Sequence, residues 1–410
     1  MRKHNEVGED EVATMVRRPV QRAALAAAPS PGPAVRHRVA QAEPPAGALE
    51  YGIYDNVLLV PSRSRSVYRN IDGAVFDAAL SPLPESLLTR TWRDGQIGVF
   101  PKLAGVDAAT APLVDETHIY GGYFFDHFGH FLLESLARSW AVEAVGPLPF
   151  VWAAGGPVNV WQAEILALLG MRMPQRFPDR PTRFRRLIIP SPGYRVQGEF
   201  HSGHARFLGQ CRPRRSGSDH VGDQRVWLSR TGNRRLGRSA GEARLENELE
   251  RRGWRVLHPQ GLPVGEQLSV LTDAAVVAGL EGSAFHAAIL LAQPASPFVI
   301  LRRTANRNYK VIAAHNGNLT IDLFGAFCID HREDLSLRRP TATAASVHRI
   351  ADAIERRKRR PERLSVLKRR CERLLDLDSW LRRQKRRRIR HAVAWLRARL
   401  LKRIRRRLAR

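Results

Sequence analysis

Two histidines and a glutamate, His127, His130 and Glu134, stand three and four residues apart in the run Gly121-Gly122-Tyr123-Phe124-Phe125-Asp126-His127-Phe128-Gly129-His130-Phe131-Leu132-Leu133-Glu134-Ser135. On a helix starting near His127 this spacing places all three on one face. An imidazole held by a carboxylate can take a proton from a reacting hydroxyl, so His130 oriented by Glu134 is a candidate general base. Glu134 acting alone and His127 are the other candidates. A plainer reading also fits: a helix start whose histidines cap the backbone or pair with Glu134. Ionisable groups on a half-buried face are costly unless paired or used.

A second constellation lies downstream in Gly279-Leu280-Glu281-Gly282-Ser283-Ala284-Phe285-His286. It follows an apolar run and precedes a helical one. A glycine turn there lets the backbone approach a phosphate, and helix-start N–H groups can hold it. The run is not the GxGxxG fingerprint, and it also reads as an ordinary strand-to-helix turn. Ser229-Arg230-Thr231-Gly232-Asn233-Arg234-Arg235 is a basic turn after another apolar run. It suits either a solvated loop or a guanidinium clamp on a diphosphate, with Arg230 foremost. Glu266-Gln267 reads as a helix first turn, where an acid is favoured by the dipole. No Asp-x-Asp pair suited to a divalent ion beside nucleotide phosphates is present.

The elements that must carry these residues alternate between strand and helix. Residues 117–120 read as a strand turned by two glycines, and residues 127–140 as a helix with Phe131, Leu132, Leu136 and Trp140 at helical spacing. Strands at 57–60, 150–152 and 187–189 and a helix at 158–169 complete a first α/β region. Residues 209–223 read as a linker. Beyond it, strands at 225–229, 254–257, 275–278 and 298–301 alternate with helices at 243–252, 265–272 and 284–292, with Ser239 as N-cap of the first. This is a doubly wound pattern, in which ligands bind beyond the carboxyl ends of the strands.

Composition bounds the rest. The chain has 410 residues and a net charge of +28, and residues 351–410 hold 25 Lys/Arg against 6 Asp/Glu. The charge therefore belongs mainly to a tail. In residues 381–410 an apolar stripe (Ile389, Val393, Leu396, Leu400, Ile404, Leu408) recurs among arginines, the pattern of a basic interfacial helix. Residues 1–45 lack periodicity and read as a disordered leader. No apolar run of transmembrane length or secretory h-region is present. Cys211, Cys328 and Cys371 are far apart and odd in number, as expected for a cytoplasmic protein without a disulfide framework.

The block His127–Arg138 resembles the His-Phe-Leu-Leu-Glu-Ser motif of glycosyltransferase family 61. The downstream order Ser229-Arg230, Gly253-Trp254-Arg255-Val256, Glu266-Gln267 and Gly279–Ala284 is similar to that family's second half. The likeness departs at Glu281, where many members carry His; a carboxylate there suits sugar or ribose hydroxyls, or proton abstraction, better than phosphate. The resemblance implies two Rossmann-like doubly wound domains facing each other (GT-B-like). Expected boundaries are a disordered segment at 1–48, an acceptor-side domain at 49–208, a nucleotide-sugar domain at 209–335 and a basic helical tail at 336–410.

It further implies inverting, metal-independent transfer from a nucleotide-sugar to a glycan or lipid-linked acceptor in cell-surface or capsular polysaccharide synthesis. No cofactor is expected besides the donor substrate. His130, Glu134 and His127 would be catalytic, and Arg230, Gly279, Glu281, Gly282, Ser283 and His286 would bind the donor. The tail would hold the enzyme on the anionic inner face of the plasma membrane. The rival reading is a non-catalytic basic protein that binds nucleic acid through this tail; the body carries no nucleic-acid module that favours it.

Overall fold

The computed structural model describes residues 35–38, 49–63, 71–91, 95–211, 224–232, 242–292, 296–302, 306–317 and 319–324, and the short pieces 328–329, 340–341, 351–352 and 355. The tail stripe at 381–410, the Ser239 cap and most of the 209–223 linker lie outside the described residues. Residues 1–342 make one compact unit and 343–410 another.

The first sheet is mixed. Its strands run in the order Val35–Arg38, Glu50–Val60, Thr182–Pro190, His118–Tyr123, Phe150–Ala154 and Gln175–Arg176. The first two junctions are antiparallel and the remaining three parallel. This corrects the doubly wound expectation for the first region: Thr182–Pro190 pairs along its length with the antiparallel strand Glu50–Val60, an 11-residue strand of which only the apolar end was expected. Val35–Arg38, expected to be unstructured, adds an antiparallel edge to that strand.

The second sheet has the expected parallel form. Strands Arg225–Leu228, Trp254–Leu257, Val276–Leu280, Phe298–Arg302 and Thr320–Phe324 stand in the spatial order 2-1-3-4-5, all parallel. The connection reverses direction between strands 1 and 3, and ligands of doubly wound sheets bind at that point, outside the carboxyl ends. The residues there are Leu228–Arg230 and Leu280–Gly282. The fifth strand lies beyond the reach of the sequence pattern, which ended at residue 301.

Seven α-helices accompany the sheets among the described residues: α1 Phe128–Leu133, α2 Ala141–Val145, α3 Val160–Leu168, α4 Ser202–Leu208, α5 Glu242–Arg251, α6 Val264–Asp273 and α7 Asn308–Asn316. Asn159 and Gln162 form a capping box that starts α3. The segment Ser283–Leu290, expected as an α-helix, is a 3₁₀ helix.

The two sheets share one core, which runs from Phe131, Trp140 and Trp152 to Val277, Phe285 and Ile300. Polar contacts reinforce it. The Glu164 carboxylate on α3 accepts from the Val264 and Gly265 N–H groups at 2.8 Å each, satisfying the first donors of α6. Asn308 Oδ1 accepts from the Tyr194 hydroxyl at 2.9 Å and from the Gln197 N–H at 2.6 Å.

Candidate active site

The strand His118–Tyr123 continues through both glycines instead of turning at them. Gly121 lies flat against the Trp152 ring, where a Cβ would come within 2.5 Å of ring carbons. Gly122 has φ +89 and leaves space for the buried Arg138 guanidinium, while the register against Phe150–Ala154 shifts. The chain then reaches His127, which is the N-cap of α1: its Nδ1 accepts from the His130 N–H at 3.4 Å. The expected helix over 127–140 is broken. α1 ends at Leu133, a 3₁₀ turn covers Ser135–Arg138, and α2 follows. Consequently His127 caps the helix, and only His130 and Glu134 meet as an i,i+4 pair.

That pair is tightly built. His130 Nδ1 and Glu134 Oε2 are in hydrogen-bond contact, and Arg90 grips the same carboxylate. Arg90 Nε donates to Glu134 Oε1 at 2.6 Å and Nη2 to Oε2 at 2.8 Å, with Nη2 also 3.3 Å from His130 Nδ1. The Arg90 and Glu134 side chains are 1% and 3% exposed. Burial alone would raise the Glu134 carboxyl, but the hydrogen bonds from His130 and Arg90 and the guanidinium charge hold it below the ordinary carboxylate range. Glu134 is thus a fixed anion with both oxygens engaged. It is built to orient His130, and a carboxylate against Nδ1 selects the Nδ1–H tautomer, with Nε2 as the proton-accepting nitrogen. His127, by contrast, is held below the usual histidine value by burial and then by the neighbouring His130.

The second constellation closes on the first at Gly129. A Cβ on Gly129 would sit 3.0 Å from His286 Nδ1 and 3.0 Å from Ser283 Cβ. The absence of a side chain therefore lets α1 lie directly on the 3₁₀ helix Ser283–Leu290. His286 is buried and stacks on Tyr309 with ring centroids 4.9 Å apart. Neither of its ring nitrogens has a hydrogen-bond partner. Burial, followed by the positive potential of His130, His127 and Arg302, pushes it down to about 3, so it is a neutral ring at physiological pH. The Tyr309 hydroxyl donates to the Gly282 carbonyl at 3.1 Å, and the Arg302 guanidinium lies over the Tyr309 ring at 4.6 Å.

A cavity of about 320 Å³ opens at the switch point of the second sheet. Of the expected donor residues, Arg230, Gly282 and Ser283 line it, whereas Gly279, Glu281 and His286 do not. Gly279 belongs to the strand Val276–Leu280 and packs against Phe285. Arg230 Nη1 donates to the Glu281 carbonyl at 2.6 Å, and the Glu242 carboxylate accepts from its backbone N–H at 3.0 Å. The first turn after Gly282 has no side-chain cap. Phe128 and Trp161, with ring centroids 5.4 Å apart, close the cavity from the side of the first sheet.

The Glu281 side chain turns inward. Its carboxylate lies 3.7 Å from Arg302 Nε, and Arg302 Nη1 contacts Asp322 at 3.1 Å. The carboxylate thus serves as a counter-charge for a buried arginine.

Sequence reading missed Arg90, Arg302 and Tyr309. Arg90 is one of many arginines in a segment without periodicity, so no local pattern marks it. The apolar run before Arg302 was visible, but the charge at its end was not distinguishable from a solvated one. Among the described residues no group of three or more His, Cys, Asp or Glu side chains could hold a metal ion. In the same residues no helix is long and apolar enough to cross a membrane. Residues 128–299 match the family model described as Glycosyltransferase 61, a match that spans His130, Glu134 and the 279–286 segment. No curated protein matches the chain.

Proposed function

We propose that this chain, whose residues 128–299 match the Glycosyltransferase 61 family model, moves a sugar from a nucleotide-sugar to a glycan or lipid-linked acceptor with inversion. The observation that carries the reading is the contact at Gly129, which lays the start of α1, between His127 and His130, directly on Ser283 and His286, some 150 residues later in the chain.

In this reading the donor's nucleotide occupies the cavity at the second sheet's switch point. Its diphosphate meets Arg230 and the uncapped N–H groups after Gly282, which replace solvation by fixed positive ends. His130 Nε2 takes the proton of the acceptor hydroxyl. The acceptor oxygen forms its bond to the anomeric carbon while the bond to the diphosphate breaks, and the diphosphate leaves with that electron pair. The ionised Glu134, anchored by Arg90, stabilises the imidazolium that results. No cofactor besides the donor is assigned a role. The two sheets would act as the two halves of a GT-B-like enzyme, with the basic tail bringing it to an anionic membrane surface where a polysaccharide is assembled.

The test is a panel of nucleotide-sugars scored first by thermal shift and then by nucleotide release. Arg230→Lys should weaken donor binding, because a bidentate fork becomes a point charge. His130→Ala should leave donor binding intact and cut turnover by about a hundred-fold or more. A folded His130→Ala chain with full turnover would remove His130 from the chemistry.

A further inference from the structure

We propose that the acceptor is a neutral oligosaccharide bound in a second cavity, of about 800 Å³, at the carboxyl ends of the parallel strands His118–Tyr123 and Phe150–Ala154. This rests on the transferase reading for its place in the reaction, though not for the binding itself.

Position is the first argument. Asp126 lines this cavity and Phe128 lines the donor cavity, so His127 is the one residue between the two walls. The Phe125 ring, also in the wall, lies 5.8 Å from the His130 ring. A chain seated here would end beside the imidazoles, and the donor would arrive at them from the other side of the same three-residue segment.

Chemistry is the second. The half-buried Phe177 ring gives apolar surface of the kind that sugar C–H faces cover, and the buried Trp152 backs it through one aromatic cluster centred on Phe124. Asp126 and Asp179 are exposed at the rim and accept hydrogen bonds from hydroxyls. The Asn159 amide donates to Asp126 Oδ1 at 2.8 Å and holds that carboxylate in place. Two carboxylates face one cation, Arg63, in the lining. That balance repels an acidic glycan and accepts a neutral one.

Backbone shape is the third. Gly155 and Gly156 form the lip with φ +114 and +82. A Cβ would come 2.3 Å from the Phe124 carbonyl oxygen at the first and 2.6 Å from the Phe177 ring at the second, so the chain folds tightly there without a side chain to fill the opening.

The experiment is saturation-transfer NMR of the full chain with a panel of neutral and uronic-acid-containing oligosaccharides, on wild type and on an Asp126→Ala/Asp179→Ala variant. Both aspartates are exposed, so the variant should keep the wild-type melting temperature. Neutral oligosaccharides should bind wild type in preference to acidic ones, and the variant should bind them at least about tenfold more weakly. Absence of binding to wild type, equal binding to the variant, or a preference for acidic chains would each overturn the assignment. Nucleotide release from donor is measured on the same samples. A chain that binds oligosaccharide through these aspartates and releases no nucleotide from any donor would refute the transferase reading while upholding the saccharide site.

Discussion

Replacing Arg90 by methionine should cost the fold about 3–5 kcal/mol, the usual consequence of leaving one member of a buried ion pair without its partner. The size follows from geometry. Two hydrogen bonds at 2.6 and 2.8 Å join side chains that are 1% and 3% exposed, so water cannot take over the guanidinium's place. Methionine keeps the length and apolar stem, which holds the packing loss to a minor share. Adding Glu134→Gln to the same chain removes the stranded charge, so the double variant should lose clearly less than the two single losses together, with a coupling of about 1–3 kcal/mol. The proton linkage has a definite sign. In wild type the Glu134 carboxyl is held below its ordinary value, so its contribution is present above the unfolded carboxyl range and is lost as pH falls through the folded value. In Arg90→Met that loss should begin at higher pH. Urea unfolding of the four chains across pH 4–8, with m-values compared, reads all of this. A loss under about 1 kcal/mol for Arg90→Met, or strict additivity in the double variant, would refute the view that Arg90 holds a buried carboxylate.

Other outcomes follow from the same geometry. His204 and His286 are both pushed down to about 3, chiefly by burial, and so stay neutral in the fold while the unfolded chain takes up protons below its ordinary histidine value. Stability should therefore be complete above about pH 6.5 and fall beneath it, each histidine costing about 1.4 kcal/mol by one unit below; a His204→Leu chain with the same acid slope as wild type would contradict this. Gly129→Ala should separate α1 from the Ser283–Leu290 helix, costing about 1–3 kcal/mol and lowering turnover more than donor affinity; unchanged stability and turnover would show that the contact is not needed. Glu281→Gln should leave donor affinity within about twofold, because the carboxylate faces Arg302 and not the cavity, while lowering the unfolding midpoint as a buried cation loses one of its two counter-charges and keeps Asp322; a large loss of donor affinity would return Glu281 to the site. Full-length chain should float with anionic vesicles and a chain ending at Arg360 should not, at roughly 1 kcal/mol per basic residue near the surface; equal flotation would leave the tail without that role.

What the sequence made legible was periodic or punctuated. The second sheet could be read because each strand is a short apolar run closed by a glycine or followed by a helical pattern, and those signals are local. The first sheet was harder, since the strand Glu50–Val60 alternates through Tyr51, Ile53 and Asp55 and shows a continuous apolar run only at its end. Whether it joins its neighbour antiparallel is decided by partners more than a hundred residues away. The helix expected at 127–140 shows how periodicity can be right about burial and wrong about geometry. Phe131, Leu132, Leu136 and Trp140 are all in the core, as their spacing requires. Yet the path breaks at Glu134, where Arg90 and His130 pull on the carboxylate and the Ser135 hydroxyl accepts from the Phe125 N–H at 2.9 Å.

The departure at Glu281 has the same origin. Read alone, a carboxylate where a phosphate-facing histidine was expected argues against an anion site. The fold separates the two questions. Gly282 and Ser283 still face the cavity, and Arg230 reaches across to the Glu281 carbonyl, so the positive ends available there to the proposed donor are a guanidinium and backbone N–H groups. The side chain at 281 answers instead to Arg302, a nearly inaccessible cation that also spans Asp322 and the Tyr309 ring. A histidine in that place would add a second cationic group beside Arg302 or remain neutral and take away the Glu281 charge, while the Asp322 carboxyl is itself pushed up by burial. Glu281 thus stabilises the floor that positions Tyr309, and Tyr309 in turn holds both the Gly282 carbonyl and the His286 ring. The residue that looked like a lost ligand is part of the support for the turn that remains.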